Sequence, residues 1–336
     1  MKAMLLRVLG RVEAGRPPLE FAEILDPVPK KEEVLIRVTA CGICHTELDE
    51  IEGRTPPPRL PVVPGHQAVG RIEAGGKIGQ RVGVAWIHSA CGECSYCASG
   101  NENLCAAFEA TGRDVNGGYA QYITVRADFA HPLPEGLSDA EAAPLLCAGA
   151  VGFRALRLAN LRDGATLGLF GFGASNHLVL KTARHGYPES RILVFSRNPH
   201  ERALAMELGA AWAGAIEDIP PEPLAAAIDA TPVWLPIVQA MKHLAPGGRL
   251  VINAIRKQES DKDELRALDF PSHLWMEKEI KSVANVTRQD VRDFLQLAAE
   301  AGIRPEIQEY DLKDANRALL EIKQGRIRGA KVLCIP

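Results

Sequence analysis

The chain has 336 residues, 46% of them apolar and 24% charged, with a net charge of -3. That length holds about two domains, each with a core of its own, in a composition ordinary for a globular protein. The near-neutral charge excludes an electrostatic case for nucleic acid or an anionic membrane as partner, and no uninterrupted apolar run approaches the ~20 residues of a transmembrane helix.

The opening residues, Met1-Lys2-Ala3-Met4-Leu5-Leu6-Arg7, are too short before the next charge for a signal peptide. A cytoplasmic location is therefore expected, where thiols stay reduced. Eight cysteines in such a compartment point to metal or catalysis rather than disulfides. Seven of the eight lie between Cys41 and Cys147, so this chemistry belongs to the first half.

A strand-like run, Glu33 to Thr39, leads into Cys41-Gly42-Ile43-Cys44-His45-Thr46-Glu47. Two thiols, an imidazole, a hydroxyl and a carboxylate fall within seven residues. A thiolate beside an imidazole is a good metal ligand, although a Cys-x-x-Cys alone is as often a redox pair or half of a zinc finger. Pro and Gly then break the chain into short pieces, with strands expected at Val69 to Ala74 and Gln80 to Ala85 of a compact β-rich domain. His66 sits between the Pro64-Gly65 turn and the first of these strands, 22 residues beyond Cys44. A lone His is more often a packed residue than a ligand. Next come Cys91, Cys94, Cys97 and Cys105, spaced C-x2-C-x2-C-x7-C. Four thiolates with short turn-forming gaps can close a tetrahedron around zinc and leave no position for substrate. An iron–sulfur cluster uses similar spacings, but Ser99-Gly100-Asn101-Glu102-Asn103 suits a surface lobe rather than a buried redox centre. Cys147 lies in the apolar run Ala142 to Gly149, where a thiol is usually just buried. Cys44, His66 and Cys147 together make a three-ligand set with an open fourth position, the pattern of a catalytic zinc.

From about Leu146 the texture changes to helical patterns alternating with apolar strands at 166–170, 191–195, 226–228 and 249–252. This argues for a doubly wound parallel sheet. Leu169-Phe170-Gly171-Phe172-Gly173-Ala174-Ser175-Asn176 follows the first of these strands and opens a helix. Gly171 permits the tight turn and Gly173 lets a pyrophosphate approach the helix N-terminus, while Asn176 stands in the third fingerprint position. A bare G-x-G is weak, but the strand-turn-helix context is right and a second strand ends about 20 residues later. That end reads Phe195-Ser196-Arg197. An NAD site places Asp or Glu there for the ribose 2′-hydroxyl; Ser196 and Arg197 suit a 2′-phosphate, so NADP is expected over NAD. Beyond Ser282 a helix (288–301), a strand (306–310), a helix (312–324) and a last strand (331–335) are expected.

With these landmarks in order, the chain resembles the zinc-dependent alcohol dehydrogenases of the medium-chain dehydrogenase/reductase superfamily. The resemblance rests on CGICHTE at 41–47, PGHQAVG at 64–70, the four-cysteine lobe at 91–105, GGYAQY at 117–122, LLCAGAVGFRAL at 145–156, GFGASN at 171–176 and APGGRLV at 245–251. It implies a GroES-like catalytic domain built from residues 1–148 and 283–336, and a Rossmann dinucleotide-binding domain at 149–282. It implies two zinc ions, a catalytic one on Cys44, His66 and Cys147 and a structural one in the lobe. Cys41 is then an unligated neighbour and Cys334 a core residue of the last strand. By the same resemblance Thr46 takes the alcohol proton, His45 contacts the cofactor pyrophosphate, and Glu47 orients the ligand imidazole.

The chain departs from the family pattern at four places. Gln67 stands where a Glu is usual, Glu47 where an Asp is usual, Asp49 where the proton relay often ends in a His, and Asn176 where the third fingerprint Gly falls. Cys147 as third ligand favours the alcohol over the polyol type, and Trp86 and Ile87 are candidates to line an apolar pocket or to be core. The resulting expectation is hydride transfer between a primary alcohol or aldehyde and a nicotinamide cofactor, by a homodimer or homotetramer. The alternatives are a zinc-independent quinone-type reductase, which should lack both metal sets, and a non-enzymatic cofactor-sensing or zinc-binding protein. The 325–331 segment resembles one that places an Arg on the pyrophosphate, in an ambiguous register.

Overall fold

The computed structural model describes residues 1–326 and 328–336. Ile327, part of the 325–331 segment considered for the pyrophosphate, lies outside the described residues. The chain divides into two compact units, Met1–Ala150 with Asn285–Pro336, and Val151–Ala284.

The first unit is built on a seven-stranded sheet. Ile307–Asp311, Ala330–Cys334, Glu33–Ile43, Ala68–Ala74, Arg81–Val84 and Ala130–Pro132 lie side by side in that order, and Tyr122–Arg126 also pairs with Glu33–Ile43. The central strand is long because Val34, Ile36, Val38 and Ala40 alternate towards the core, the period of a half-buried strand. Its antiparallel pairing with Ala330–Cys334 sets Cys41 opposite Leu333, so the last strand of the chain joins a strand from its first fifty residues in one sheet. The last strand buries Val332 and Leu333. Cys334 departs from the core placement expected for it: as the strand's final residue, opposite Asp311, it is half-buried and donates to Glu309 at 3.0 Å. The helix expected at 312–324 is a 3-10 turn, Leu312–Asp314, followed by an α-helix, Ala315–Lys323. Helix Arg288–Glu300 starts where expected, at a reciprocal cap in which Thr287 Oγ1 accepts from the Asp290 amide and the Asp290 carboxylate accepts from the Thr287 amide.

The second unit holds six strands, all parallel, in the order Trp212–Gly214, Ile192–Phe195, Leu167–Phe170, Leu224–Asp229, Leu244–Ile252 and Glu279–Ser282. The two central apolar runs are buried at every residue, as strands covered on both faces must be. Chain order reverses between Leu167–Phe170 and Leu224–Asp229, the switch point at which ligands bind on such sheets. The edge strands escape sequence analysis for physical reasons. Glu279–Ser282 is exposed at all four residues and has Ile280 as its single apolar side chain, and Trp212–Gly214 has only three residues. One helical stretch, Asp139–Ala159, is long and apolar enough by composition to cross a membrane, and 72% of its apolar window is buried inside the protein.

Candidate active site

The antiparallel pairing of Glu33–Ile43 with Ala68–Ala74 explains how residues 22 apart meet. Cys41 is opposite Ala68, so Cys44, the first residue beyond one strand, and His66, two residues before the other, emerge at the same end of the sheet. The turn before His66 needs glycine. Gly65 has φ of 100°, and a Cβ there would lie 2.3 Å from Tyr119 Cδ1. Cys147 arrives from elsewhere in the same unit. Helix Asp139–Pro144 is anchored to the sheet by Asp139, which accepts from Thr39 Oγ1 at 2.5 Å and from Arg81 Nε at 2.6 Å. It continues into a single π-helical turn, Leu145–Gly149, that carries Cys147. Such turns favour functional sites because the wider turn re-aims a side chain.

The ligand atoms of Cys44, His66 and Cys147 lie within 4.8 Å of one another, and His66 Nε2 is 3.2 Å from Cys147 Sγ. Tetrahedral zinc with Zn–S near 2.3 Å places two sulfurs ~3.8 Å apart, so this donor set fits the ion. The Cys44 thiol is held well below its ordinary range, first by its hydrogen bond with Cys147, and Cys147 is pushed well above for the same reason. One thiolate thus stands ready as a ligand, and a metal would displace the remaining proton. Burial opposes protonation of His66, but the Glu47 carboxylate and the Cys44 thiolate raise it well above the usual imidazole range.

Glu47 serves both ligand strands. Its Oε2 accepts from the Cys44 amide at 2.7 Å, capping helix His45–Ile51, and its Oε1 stands 2.5 Å from His66 Nδ1. That carboxylate selects the tautomer that leaves Nε2 for a metal. Thr46 Oγ1 is 3.5 Å from Cys44 Sγ. His45 is half-buried, with an Nε2 that has no hydrogen-bond partner among the described residues. Asp49 is buried and ion-paired with Arg54 at 2.5 Å, a partner that sequence reasoning did not single out. Gln67 is buried, its side chain against Gly42, where a Cβ would come within 2.7 Å of Oε1. Cys41 is fully buried with a thiol raised well above its ordinary range, first by burial, which keeps it a thiol. Trp86 and Ile87 belong to the hydrophobic core of this unit.

The second cluster is the cysteine lobe. Cys91, Cys94, Cys97 and Cys105 bring their sulfurs within 4.8 Å of one another, with Cys91 3.8 Å from Cys97 and 3.5 Å from Cys105. Amides of Glu93 and Cys94 point at Cys91 and lower its thiol to about 6, which favours the thiolate a metal would take. Four sulfurs at these spacings fill a tetrahedron and leave no substrate position.

In the second unit the fingerprint turn behaves as its glycines require. Gly171 has φ of 75°, and a Cβ at Gly173 would meet no heavy atom within 4 Å, so the backbone there faces open space that a pyrophosphate can enter. Asn176 is buried, and its Nδ2 donates to Phe170 O at 3.0 Å and Gly171 O at 2.8 Å. It therefore holds the turn from inside. Ser196 is buried, Arg197 is exposed, and Ser196 Oγ donates to Glu201 Oε2 at 2.5 Å. Sequence reasoning passed over Glu201.

A GroES-like unit carrying a two-thiol, one-imidazole site, joined to a Rossmann unit with a dinucleotide turn, defines the medium-chain dehydrogenase/reductase class. Residues 30–135 match the alcohol dehydrogenase GroES-like domain. The chain is 42% identical to a probable alcohol dehydrogenase, AdhA, of Mycobacterium tuberculosis, over 100% of this chain and 97% of that one. It is 31% identical to an alcohol dehydrogenase of Geobacillus stearothermophilus, over 96% and 98% of the two. Among solved structures, a cinnamyl alcohol dehydrogenase of Sorghum bicolor superposes with a TM-score of 0.86 at 25% identity, covering 99% of this chain and 97% of that one. The chain belongs to the zinc-type alcohol dehydrogenase family, and it is an oxidoreductase acting between alcohols or aldehydes and a nicotinamide cofactor.

Proposed function

We propose that the enzyme interconverts primary alcohols and aldehydes with a catalytic zinc on Cys44, His66 and Cys147 and a structural zinc on Cys91, Cys94, Cys97 and Cys105. The observation that carries this reading is the convergence of two thiols and one imidazole within 4.8 Å, backed by the Glu47 carboxylate. Zinc supplies Lewis-acid polarisation of the substrate oxygen, and the nicotinamide accepts or gives the hydride. The chain's own residues do the rest. Thr46, beside Cys44, takes the substrate proton, and the family resemblance gives His45 to the cofactor pyrophosphate. Glu47 holds the His66 ring in its ligating tautomer. Asp49 is committed to Arg54, which argues against its acting as the relay's exit. The quinone-type alternative should lack both thiol clusters, and both are present.

Purified protein tested with a panel of aldehydes, NADH and NADPH is expected to turn over, and to lose activity when chelator removes its metal. Absence of turnover with every aldehyde and alcohol would sink the proposal in favour of a cofactor sensor. On the cofactor, the Ser196 hydroxyl and the exposed Arg197 support NADP(H), while the Glu201 carboxylate on Ser196 weighs the other way. A homodimer or homotetramer is supported by the exposed edge strand Glu279–Ser282 and the neighbouring exposed Phe270, Trp275 and Met276; light scattering tests this, and a monomer at all concentrations would refute it. Eight unpaired cysteines support a reducing, cytoplasmic setting, which cell fractionation checks.

A further inference from the structure

Strand Ile192–Phe195 ends without an acidic residue, yet a carboxylate reaches that place from five positions further along. Glu201 lies in the first turn of helix Pro199–Glu207. Its Oε2 accepts from Ser196 Oγ at 2.5 Å and from the Phe172 amide at 3.2 Å. Phe172 is the residue between Gly171 and Gly173, so one carboxylate joins the strand end to the phosphate turn. Those two places bracket the adenosine ribose of a dinucleotide on this kind of sheet. Both bonds end on Oε2, and Oε1 has none among the described residues.

The Ser196 hydroxyl is committed. Its single proton goes to Glu201, and its oxygen accepts from the Asn198 amide at 3.1 Å. Arg202 is turned to the Ser196 carbonyl at 2.7 Å. Arg197 is exposed, where solvent and salt screen its charge, whereas Ser196 is 2% exposed. A ribose with a free 2′-hydroxyl finds an acceptor in Oε1. A 2′-phosphate, with a charge of about -1.5 to -2, meets a carboxylate and a hydroxyl whose proton is already taken.

Resting on the proposal that this unit carries a nicotinamide dinucleotide, we infer that Glu201 selects the cofactor and turns the chain towards NAD(H), against the NADP(H) preference suggested by Ser196 and Arg197. Glu201 substitutes from a helix for the acidic residue missing at the strand end.

The test is the dissociation constants of NADH and NADPH, read by protein fluorescence on the zinc-loaded full chain and on Glu201→Gln. The amide keeps the side chain's shape and an oxygen to accept both hydrogen bonds, so the fold is retained. Wild-type protein is expected to bind NADH at least about tenfold more tightly than NADPH, because juxtaposed like charges are strongly disfavoured. Glu201→Gln is expected to tighten NADPH about tenfold and to weaken NADH a few-fold. Competition by 5′-AMP against 2′,5′-ADP on the wild-type protein reads the same discrimination without a substitution, and 5′-AMP should win. Tighter NADPH binding by the wild type, or an unchanged NADH/NADPH ratio in Glu201→Gln, overturns the inference alone. If neither dinucleotide binds, the proposed cofactor class falls and the inference with it.

Discussion

Cys44→Ser is expected to lower kcat/KM by at least about a thousandfold, since Lewis-acid polarisation is worth several kcal/mol and each ~1.4 kcal/mol is tenfold in rate. Bound zinc should fall from two ions per chain to one, because the Cys91–Cys105 cluster shares no ligand with the site. The substitution is a clean one. Cys44 is the N-cap of helix His45–Ile51, and Ser is a better cap than Cys, so the helix start survives. What is lost is a thiolate held below its ordinary range; a serine hydroxyl does not ionise near neutral pH. Metal analysis and steady-state kinetics on the same preparation give the answer. Retention of both ions and of activity would refute Cys44 as a ligand.

Lys257→Met should lower stability by about 3 kcal/mol through the second unit. Lys257 Nζ pairs with the fully buried Asp229 and also donates to Thr231 O at 2.8 Å and Val233 O at 3.0 Å. Methionine fills the volume but removes the cation and the donor to Asp229 Oδ2 and the Thr231 carbonyl, while Asp229 Oδ1 keeps its bonds from the Thr231 amide and hydroxyl. Burial already raises Asp229 above the usual carboxylate range, with Lys257 opposing that rise, so the orphaned acid takes up a proton and the loss stays at the lower end for a broken buried pair. The damage is not confined to stability. Thr231 packs where Gly171 would carry a Cβ, 2.8 Å from Thr231 Cγ2, so loosening this loop loosens the wall of the dinucleotide turn. The shift in denaturation midpoint measures the effect, and Asp229→Asn with Lys257→Met should recover most of it. A loss below about 1 kcal/mol in the single variant would show that the pair carries little.

The two clusters proposed to hold zinc were legible because metal chemistry demands residue types that are rare and tightly spaced. Cys91 to Cys105 declare themselves by density alone, and Cys44 and His66 each border a strand with a clear apolar period. The alternating strands of the second unit were legible for a related reason: Leu167–Phe170 and Ile192–Phe195 are buried on both faces and therefore apolar throughout. The exposed edge strand Glu279–Ser282, with Ile280 as its single apolar residue, left no such trace. Nor did the π-helical turn at Cys147, which depends on how the preceding helix is anchored through Asp139.

Glu201 marks the boundary most sharply. The run Asn198-x-x-Glu201 has the form of a helix-capping pair, and Asn198 does cap the helix by accepting from the His200 amide. The Glu201 carboxylate goes elsewhere, to Ser196 and to Phe172, 29 residues earlier in the chain. Asp49 is similar, since its ion pair with Arg54 depends on the loop after helix His45–Ile51 folding back. Residue types and spacing are one-dimensional properties, so the succession of strands, the glycines of the turns and the candidate metal donors can be read along the chain. Which carboxylate meets which hydroxyl, amide or cation is decided when parallel strands and their following helices are packed, because only that packing brings a helix's first turn against a turn from another strand.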